Sequence, residues 1–357
     1  MKIYIKFLLN LFLRSFFKTF IVFFFIILIT NILEQVEFFK QINFHFTYLI
    51  FLSFLNTPSI IFEILPFIFL ISTQFFFIKL IDNNELEIFK YSGINNNKII
   101  GIIASISFIL GTLLIIFFYN LSSIMKNSYL EIKNKHTKDD KYLAVINENG
   151  LWIKDEINEQ INIINASNVS EKFLINVFIT QFDKNYNLIQ TIQSPKVNIT
   201  SYNWRLFDAT ISTNKQMFNS TELEFLSNFD LKKINSLFSN LSSLTIPALI
   251  KLRKSYKSLN YSLIEIDSHL YKIITYPVYL TLITLLSSVI MFSIGYQKST
   301  LFKIIFGIFL SVLIYYVNYF FNVLGTSEKI PVIVSIFFPL IILAITNMIS
   351  IIRLNEK

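Results

Sequence analysis

The sequence predicts an α-helical membrane protein with six transmembrane helices (3+3) and an inserted β-jelly-roll or sandwich domain. Three observations predict this class. The chain is 54% hydrophobic and only 15% charged, against about 25% charged in ordinary soluble domains, so whole segments are left near zero charge. The apolar runs come in two sets of three. Between them, residues 126–260 turn polar and break into short β-prone stretches divided by turn residues.

A helix needs roughly 20 apolar residues to cross a bilayer. Span one is expected at about 16–33, preceded by Lys2, Lys6, Arg14 and Lys18. Ile32-Leu33-Glu34-Gln35 is a poor cleavage site, which favours a retained anchor over a signal peptide. Residues 46–78 carry one charge, Glu63, and are too long for one straight crossing. Pro58, beside Thr57 and Ser59, predicts a break there, with a short interfacial helix before it and a crossing at about 59–80. Glu63 reads either as a functional intramembrane acid or as a solvated group near the interface. Span three covers 99–125 without a charge, and Ser107 and Gly111, four apart, suit close helix packing. Spans four to six are expected at about 273–297, 304–324 and 331–352.

Six crossings return the chain to its starting side. The basic start, Lys298 and Lys303, and Arg353 and Lys357 mark that side as cytoplasmic. The turn around Glu85 is then cytoplasmic as well. The loop with Glu34, Glu37, Lys40 and His45, the central domain and the loop at 325–330 lie outside.

In the central domain, strands are expected at 142–147, 151–155, 161–165, 172–182, 188–193 and 204–212. The turns fall at Glu148-Asn149-Gly150, Asp183-Lys184-Asn185, Ser194-Pro195 and Tyr202-Asn203. Asn-Gly between apolar runs is a strong hairpin signal, and short strands at this spacing suggest a sandwich or jelly roll. Helical patterning returns at Thr245-Ile246-Pro247, with proline in the first turn. Lys251, Arg253, Lys254 and Lys257 then form a basic helix suited to anionic headgroups. Ser262 and Glu265 have the spacing of a capping box. The domain limits read 1–125, 126–260 and 261–357, with a short helix at about 83–93 inside the first.

Several chemistries are excluded. The absence of cysteine rules out disulfides, thiolate metal sites and thiol nucleophiles. None of the seven glycines is followed by lysine, so no phosphate-cradling G-x-x-x-x-G-K-[ST] loop exists and energy must come from a partner. His45, His136 and His269 are scattered. Glu265, Asp267 and His269 lie at helical spacing but do not make a metal site, which disfavours a membrane transferase. No cofactor is expected. A sensor or scaffold with an outer binding domain, and another ABC exporter type, are the remaining alternatives.

The turn between spans two and three has the chemistry of a docking helix. Asp82, Asn83 or Asn84 can cap it, Glu85 and Glu87 suit its positive end, and Gly93 can terminate it. Leu86, Phe89 and Lys90 share a face at i, i+3 and i+4, which would bury in a partner's groove. The plain alternative is a capped turn joining two spans.

The chain resembles the LptF/LptG permeases of the lipopolysaccharide export transporter over nearly its whole length. The resemblance rests on the 3+3 layout with its inserted domain, and on Pro58 and Pro66 at the entry to span two. It also rests on Asn84-Glu85-Leu86 followed by Ser92-Gly93, which is similar to the family's S-E-L…S/A-G segment. Gly150-Leu151-Trp152-Ile153-Lys154-Asp155 resembles the G-L-W-x-K-D stretch of the LptG branch, and Asn203-Trp204-Arg205-Leu206 its W-R-L stretch. Gly325, Pro331 and Pro339 look like the G-x-x-P-P…P pattern before the last span. The sequence departs from the family at Asn84, at the single Pro331, and at Glu34 and Glu37, which make the outer end of span one acidic. The LptG type is favoured over the LptF type.

The resemblance implies a permease subunit of an ABC transporter that extracts lipopolysaccharide from the inner membrane and passes it to a periplasmic bridge. It implies an LptF-like second permease, an LptB-like cytoplasmic ATPase dimer, and an LptC-like tether with a jelly-roll bridge. Glu85, Leu86, Phe89, Lys90 and Gly93 would couple to the ATPase. Phe20, Phe23 and Phe24 on span one and Phe306 and Phe309 on span five would line a cavity for acyl chains, with Lys40 near a phosphate.

Overall fold

The computed structural model describes residues 2–40, 45–136, 151–157, 160–170, 172–213, 216–231, 234, 240–258, 263–293 and 299–355. The expected strand at 142–147, the Asn149-Gly150 turn, and Ser262, Lys298 and Lys357 lie outside them. The chain divides into two units, Met1–Tyr129 with Ile264–Lys357, and Leu130–Leu263.

In the first unit, α1 is Ile3–Phe38, α2 Phe46–Asp82, α3 Glu85–Tyr91 and α4 Asn96–Leu113. A π-helical turn, Leu114–Tyr119, joins α4 to α5, Asn120–His136, so the third span is one continuous helix. After the second unit come α7, Ile264–Ser293, α8, Thr300–Thr326, and α9, Val332–Asn355. Among the described residues, six helices are long and apolar enough to cross a membrane. They divide by how far they are enclosed. The most apolar windows of α2 and α7 are 61% buried, whereas that of α8 is 11% buried. A helix apolar on all sides belongs at the centre of a bundle, and α1, α7 and α8 pack around α2.

The break expected at Pro58 is not there. α2 runs unbroken through Pro58 and Pro66. Each proline removes a helical N–H donor, and in a membrane a helix survives this when hydroxyls and neighbouring helices take over. The carbonyl that Pro66 leaves without its donor, Phe62 O, accepts from the Tyr276 hydroxyl of α7, and beside Pro58 the Thr57 hydroxyl donates to Ser53 O at 2.7 Å and the Ser59 hydroxyl to Asn56 O at 3.0 Å. From α1, Asn31 Nδ2 donates to Thr57 Oγ1 at 3.2 Å, and Asn31 Oδ1 accepts from Asn56 Nδ2 at 3.2 Å. The residues of this network beside Pro58 are all buried.

Helix packing elsewhere uses small residues and single polar links. Gly111 on α4 meets Pro277 on α7, where a Cβ would stand 3.3 Å from Pro277 Cα. Ser287 donates to Leu70 O at 2.9 Å, and Asn347 Nδ2 to Leu282 O at 2.9 Å. Gln74 Nε2 on α2 donates to Lys303 O on α8 at 2.9 Å. That amide fills the space above Gly307, where any Cβ would overlap it.

The second unit holds a six-stranded antiparallel sheet: β1 Leu151–Ile157, β2 Gln160–Ser170, β3 Phe173–Phe182, β4 Leu188–Asn198, β5 Asn203–Thr213 and β6 Met217–Leu226. Neighbours in the sheet are neighbours in sequence, so among the described residues it is a meander. A helix, α6, runs over Ile246–Ser258 and starts at the expected proline. The expected turn at Asp183-Lys184-Asn185 is present. The Asp183 carboxylate accepts from Asn187 Nδ2 and from the amides of Asn187 and Asn185, and these bonds hold its pKa below the usual range.

The turn expected at Ser194-Pro195 is instead a crease within β4. Asn176, opposite Pro195 on β3, and Asp208, opposite it on β5, both have φ of 49°. The pairing skips at Ser167–Asn176, Asn176–Pro195 and Asp208–Thr221, with unchanged register on both sides. The crease therefore runs across the sheet from β2 to β6. It also reverses the alternation of side chains. Leu174 is buried and then Val177, Ser194 and then Val197, Leu206 and then Ala209. In a regular strand such odd spacings would point to opposite faces. Here the apolar members join one core.

A buried acid secures the curled sheet. Asp155 on β1 is fully buried and accepts from Ser227 Oγ at 2.8 Å, Asn228 N at 3.0 Å and Asn228 Nδ2 at 2.8 Å. Those partners follow directly after β6. In a flat sheet, β1 and β6 would stand about 24 Å apart, five spacings of roughly 4.8 Å, so the sheet is curled enough for the segment after β6 to reach β1. Trp204, fully buried, adds a second tie from Nε1 to Phe229 O at 2.7 Å.

Two outcomes test this account. Gly307→Val is expected to weaken the bundle by about 1–3 kcal/mol through overpacking, read as a lower melting temperature of the helical circular-dichroism signal in detergent. Asp155→Ala is expected to destabilise the rolled sheet by about 3 kcal/mol, since buried donors lose a charged acceptor. Hydrogen exchange should then speed up at β1 and at residues 227–229 while the membrane helices stay protected.

Candidate functional site

The segment between the second and third spans forms a built elbow. α2 ends at Asp82, and the chain turns through Asn83 and Asn84. Asn84 sits in the left-handed region at φ 58°, which asparagine tolerates better than most residues. Asn83 Nδ2 donates to Glu85 Oε1 at 3.3 Å. Glu85 and Glu87 occupy the first turn of α3 and Lys90 the last, each complementing the helix dipole.

The far end closes with two backbone bonds, Gly93 N to Lys90 O at 3.0 Å and Ile94 N to Phe89 O at 2.9 Å. This is the Schellman arrangement, which requires a left-handed residue, and Gly93 supplies it at φ 76°. Ile94, next in the chain, is buried in the core shared by α1, α2 and α4. The elbow is thus fixed at both ends by local geometry written in Asn84 and Gly93.

The structure distributes the predicted coupling residues over two faces. Leu86 is 1% exposed and belongs to the bundle core. Phe89 packs against that core, its ring 6.0 Å from the ring of Phe7 on α1. The apolar face expected to meet a partner therefore points inward. The outward face carries Ile88, 61% exposed, and Tyr91, 89% exposed, beside Glu87 and Lys90. Sequence reasoning passed over Ile88 and Tyr91. Their i, i+3 spacing was a readable signal, but Leu86 and Phe89 have the same spacing, and only packing tells which pair faces in. Glu85 is half-buried, and its Oε2 is buried without a partner.

The cavity candidates fall apart into two groups. Phe20, Phe23 and Phe24 are half-buried against the chain's own core, with Phe20 5.9 Å from Phe118 between ring centres. Phe306 and Phe309 stand exposed on α8, and Phe306 stacks on Phe302 at 6.2 Å. Lys40 is exposed just past α1. Glu63 lies on α2 and is exposed.

A Cβ added at Gly93 would touch nothing within 4 Å, so the effect of substitution is purely conformational. Gly93→Ala is expected to cost about 1–2 kcal/mol of local stability, seen as faster hydrogen exchange at Ile94 with the rest of the bundle unchanged.

With this architecture in view, comparison with known proteins is informative. No individual curated protein matches the chain. Residues 6–353 match the family described as lipopolysaccharide export system permease LptF/LptG. That match takes in all six apolar helices, the elbow and the rolled sheet, and the chain belongs to the LptF/LptG family of lipopolysaccharide export permeases.

Proposed function

We propose that this chain is the LptG-type permease subunit of an ABC transporter that lifts lipopolysaccharide out of the inner membrane toward a periplasmic bridge. Its termini and the elbow face the cytoplasm and the rolled sheet faces the periplasm, as the placement of lysine and arginine favours. An LptF-like second permease, an LptB-like ATPase dimer and an LptC-like tether with its bridge complete the machine. The branch assignment draws on Leu151-Trp152-Ile153-Lys154-Asp155.

The observation that carries this reading is the two-faced elbow. Ile88 and Tyr91 offer apolar surface to a cytoplasmic partner, while Leu86 and Phe89 root the same helix among α1, α2 and α4. A push on the outer face would reach α1 through the Phe89–Phe7 contact and α2 through the Asn83–Asn84 turn. Glu85, Lys90 and Gly93 hold the elbow in shape for that load. Coupling needs such a rigid element, because a flexible loop would absorb the displacement.

Substrate handling follows from α8. Its apolar surface, with Phe306 and Phe309, is left uncovered by the chain's own helices and suits acyl chains or the second permease. Phe20, Phe23 and Phe24 would take part through their open edges, and Lys40 through a lipid phosphate.

The reading is tested by co-purifying the chain with its ATPase and measuring hydrolysis stimulated by lipopolysaccharide. Each apolar side chain buried in a partner's groove contributes roughly 1.5–3 kcal/mol. Ile88→Asp with Tyr91→Glu is therefore expected to lower ATPase capture at least tenfold while membrane insertion is retained. Undiminished capture and export in that double variant would refute the elbow's role.

A further inference from the structure

Beside the elbow lies a cavity of about 430 Å³ that shares only Lys90 with the coupling role. Lys90 of α3, Asn96 of α4 and Arg353 of α9 line it together with Met291, Phe292 and Leu354. Two cations from different helices converge there, and among the described residues neither Lys90 nor Arg353 makes an ion pair. Helix ends modify that charge by about half a unit each. The start of α4 adds to it, and the ends of α2, α3, α7 and α9 subtract. Among the described residues these groups stay net positive, which suits the single negative charge of a phosphodiester.

The rest of the lining narrows the ligand. Met291, Phe292 and Leu354 give the cavity an apolar wall where helices that span the bilayer end. Asn96 Oδ1 is buried and has no hydrogen-bond partner. A carbonyl oxygen left there without a donor is unfavourable. That oxygen is closed to the cavity as it stands, and a rotation of the half-buried Asn96 side chain would bring it to a headgroup with an ammonium N–H or a hydroxyl, a donor that a quaternary ammonium lacks.

We propose that this cavity binds the headgroup of a glycerophospholipid from the leaflet bordering the elbow. The phosphodiester lies between Lys90 and Arg353, and a donor on the headgroup meets Asn96 Oδ1. The site does not depend on the ATPase contact proposed above. It would make the elbow's resting position sensitive to the lipid beside it.

Native mass spectrometry of the full chain in detergent tests this. The probes are phosphatidylethanolamine, phosphatidylcholine and inorganic phosphate. One tightly retained phosphatidylethanolamine is expected, with phosphatidylcholine held at least fivefold more weakly and no displacement by inorganic phosphate. Lys90→Gln with Arg353→Gln should reduce retention at least tenfold, with an unchanged helical signal and melting temperature. Asn96→Leu should remove the preference between the two lipids. Equal retention by the double variant, equal binding of phosphatidylcholine, or displacement by inorganic phosphate would each overturn the proposal. So would a double variant that keeps its lipid but loses a co-purifying ATPase, since the cavity would then serve a protein partner.

Discussion

A helix inside a bilayer has no water to satisfy a carbonyl whose donor is missing, and α2 carries two prolines through its length. At Pro66 the Tyr276 hydroxyl of α7 supplies that donor to Phe62 O, and beside Pro58 Asn31 reaches over from α1 to Thr57 and Asn56. Much else in the membrane unit follows from that. α2 is enclosed, and α1, α7 and α8 take their places against it. Gln74 links it to α8 above a glycine, and Ser287 of α7 bonds to its Leu70 carbonyl. Because α2 is unbroken, a displacement at its elbow end can travel along its whole length, about 55 Å at 1.5 Å per residue.

The second unit solves a different problem. Six strands in sequence order would form an open sheet with two exposed edges, a form prone to pairing with other chains. A transverse crease through Asn176, Pro195 and Asp208 bends it while keeping the apolar side chains on one face. The Asp155 carboxylate then locks the first strand to the residues after the last. Burying a carboxylate is unfavourable unless its oxygens are fully engaged, and here three donors engage them. The acid that the sequence presents as part of a branch-like motif thus acts in the structure as a fastening.

At the elbow one short helix serves two neighbours. Its inner face belongs to the membrane core, and its outer face is open. Lys90, at its last turn, also borders the cavity that Arg353 closes from the end of α9. Position in this segment is set by Asn84 and Gly93, which accept left-handed backbone, together with Leu86 and Phe89 packed on the bundle core. A lever of this kind is stiff because its ends are pinned.

The sequence by itself determined the class: the six apolar helices, the inserted sheet, and the elbow between spans two and three with the glycine that ends it, whereas no side chain caps its first turn. These are readable because composition, period and turn residues are local properties. Tertiary structure alone decided that α2 continues past Pro58, that Ser194-Pro195 is a crease rather than a turn, and that Leu86 and Phe89 face inward while Ile88 and Tyr91 face out. It also decided that Asp155 meets residues 227–228, more than seventy positions away. The reason is the same in each case. A proline, a left-handed asparagine or an amphipathic face has more than one acceptable environment, and the choice between them is made by partners distant in sequence: Tyr276 for Pro66, the neighbouring strands for Pro195, and the ring of Phe7 for Phe89.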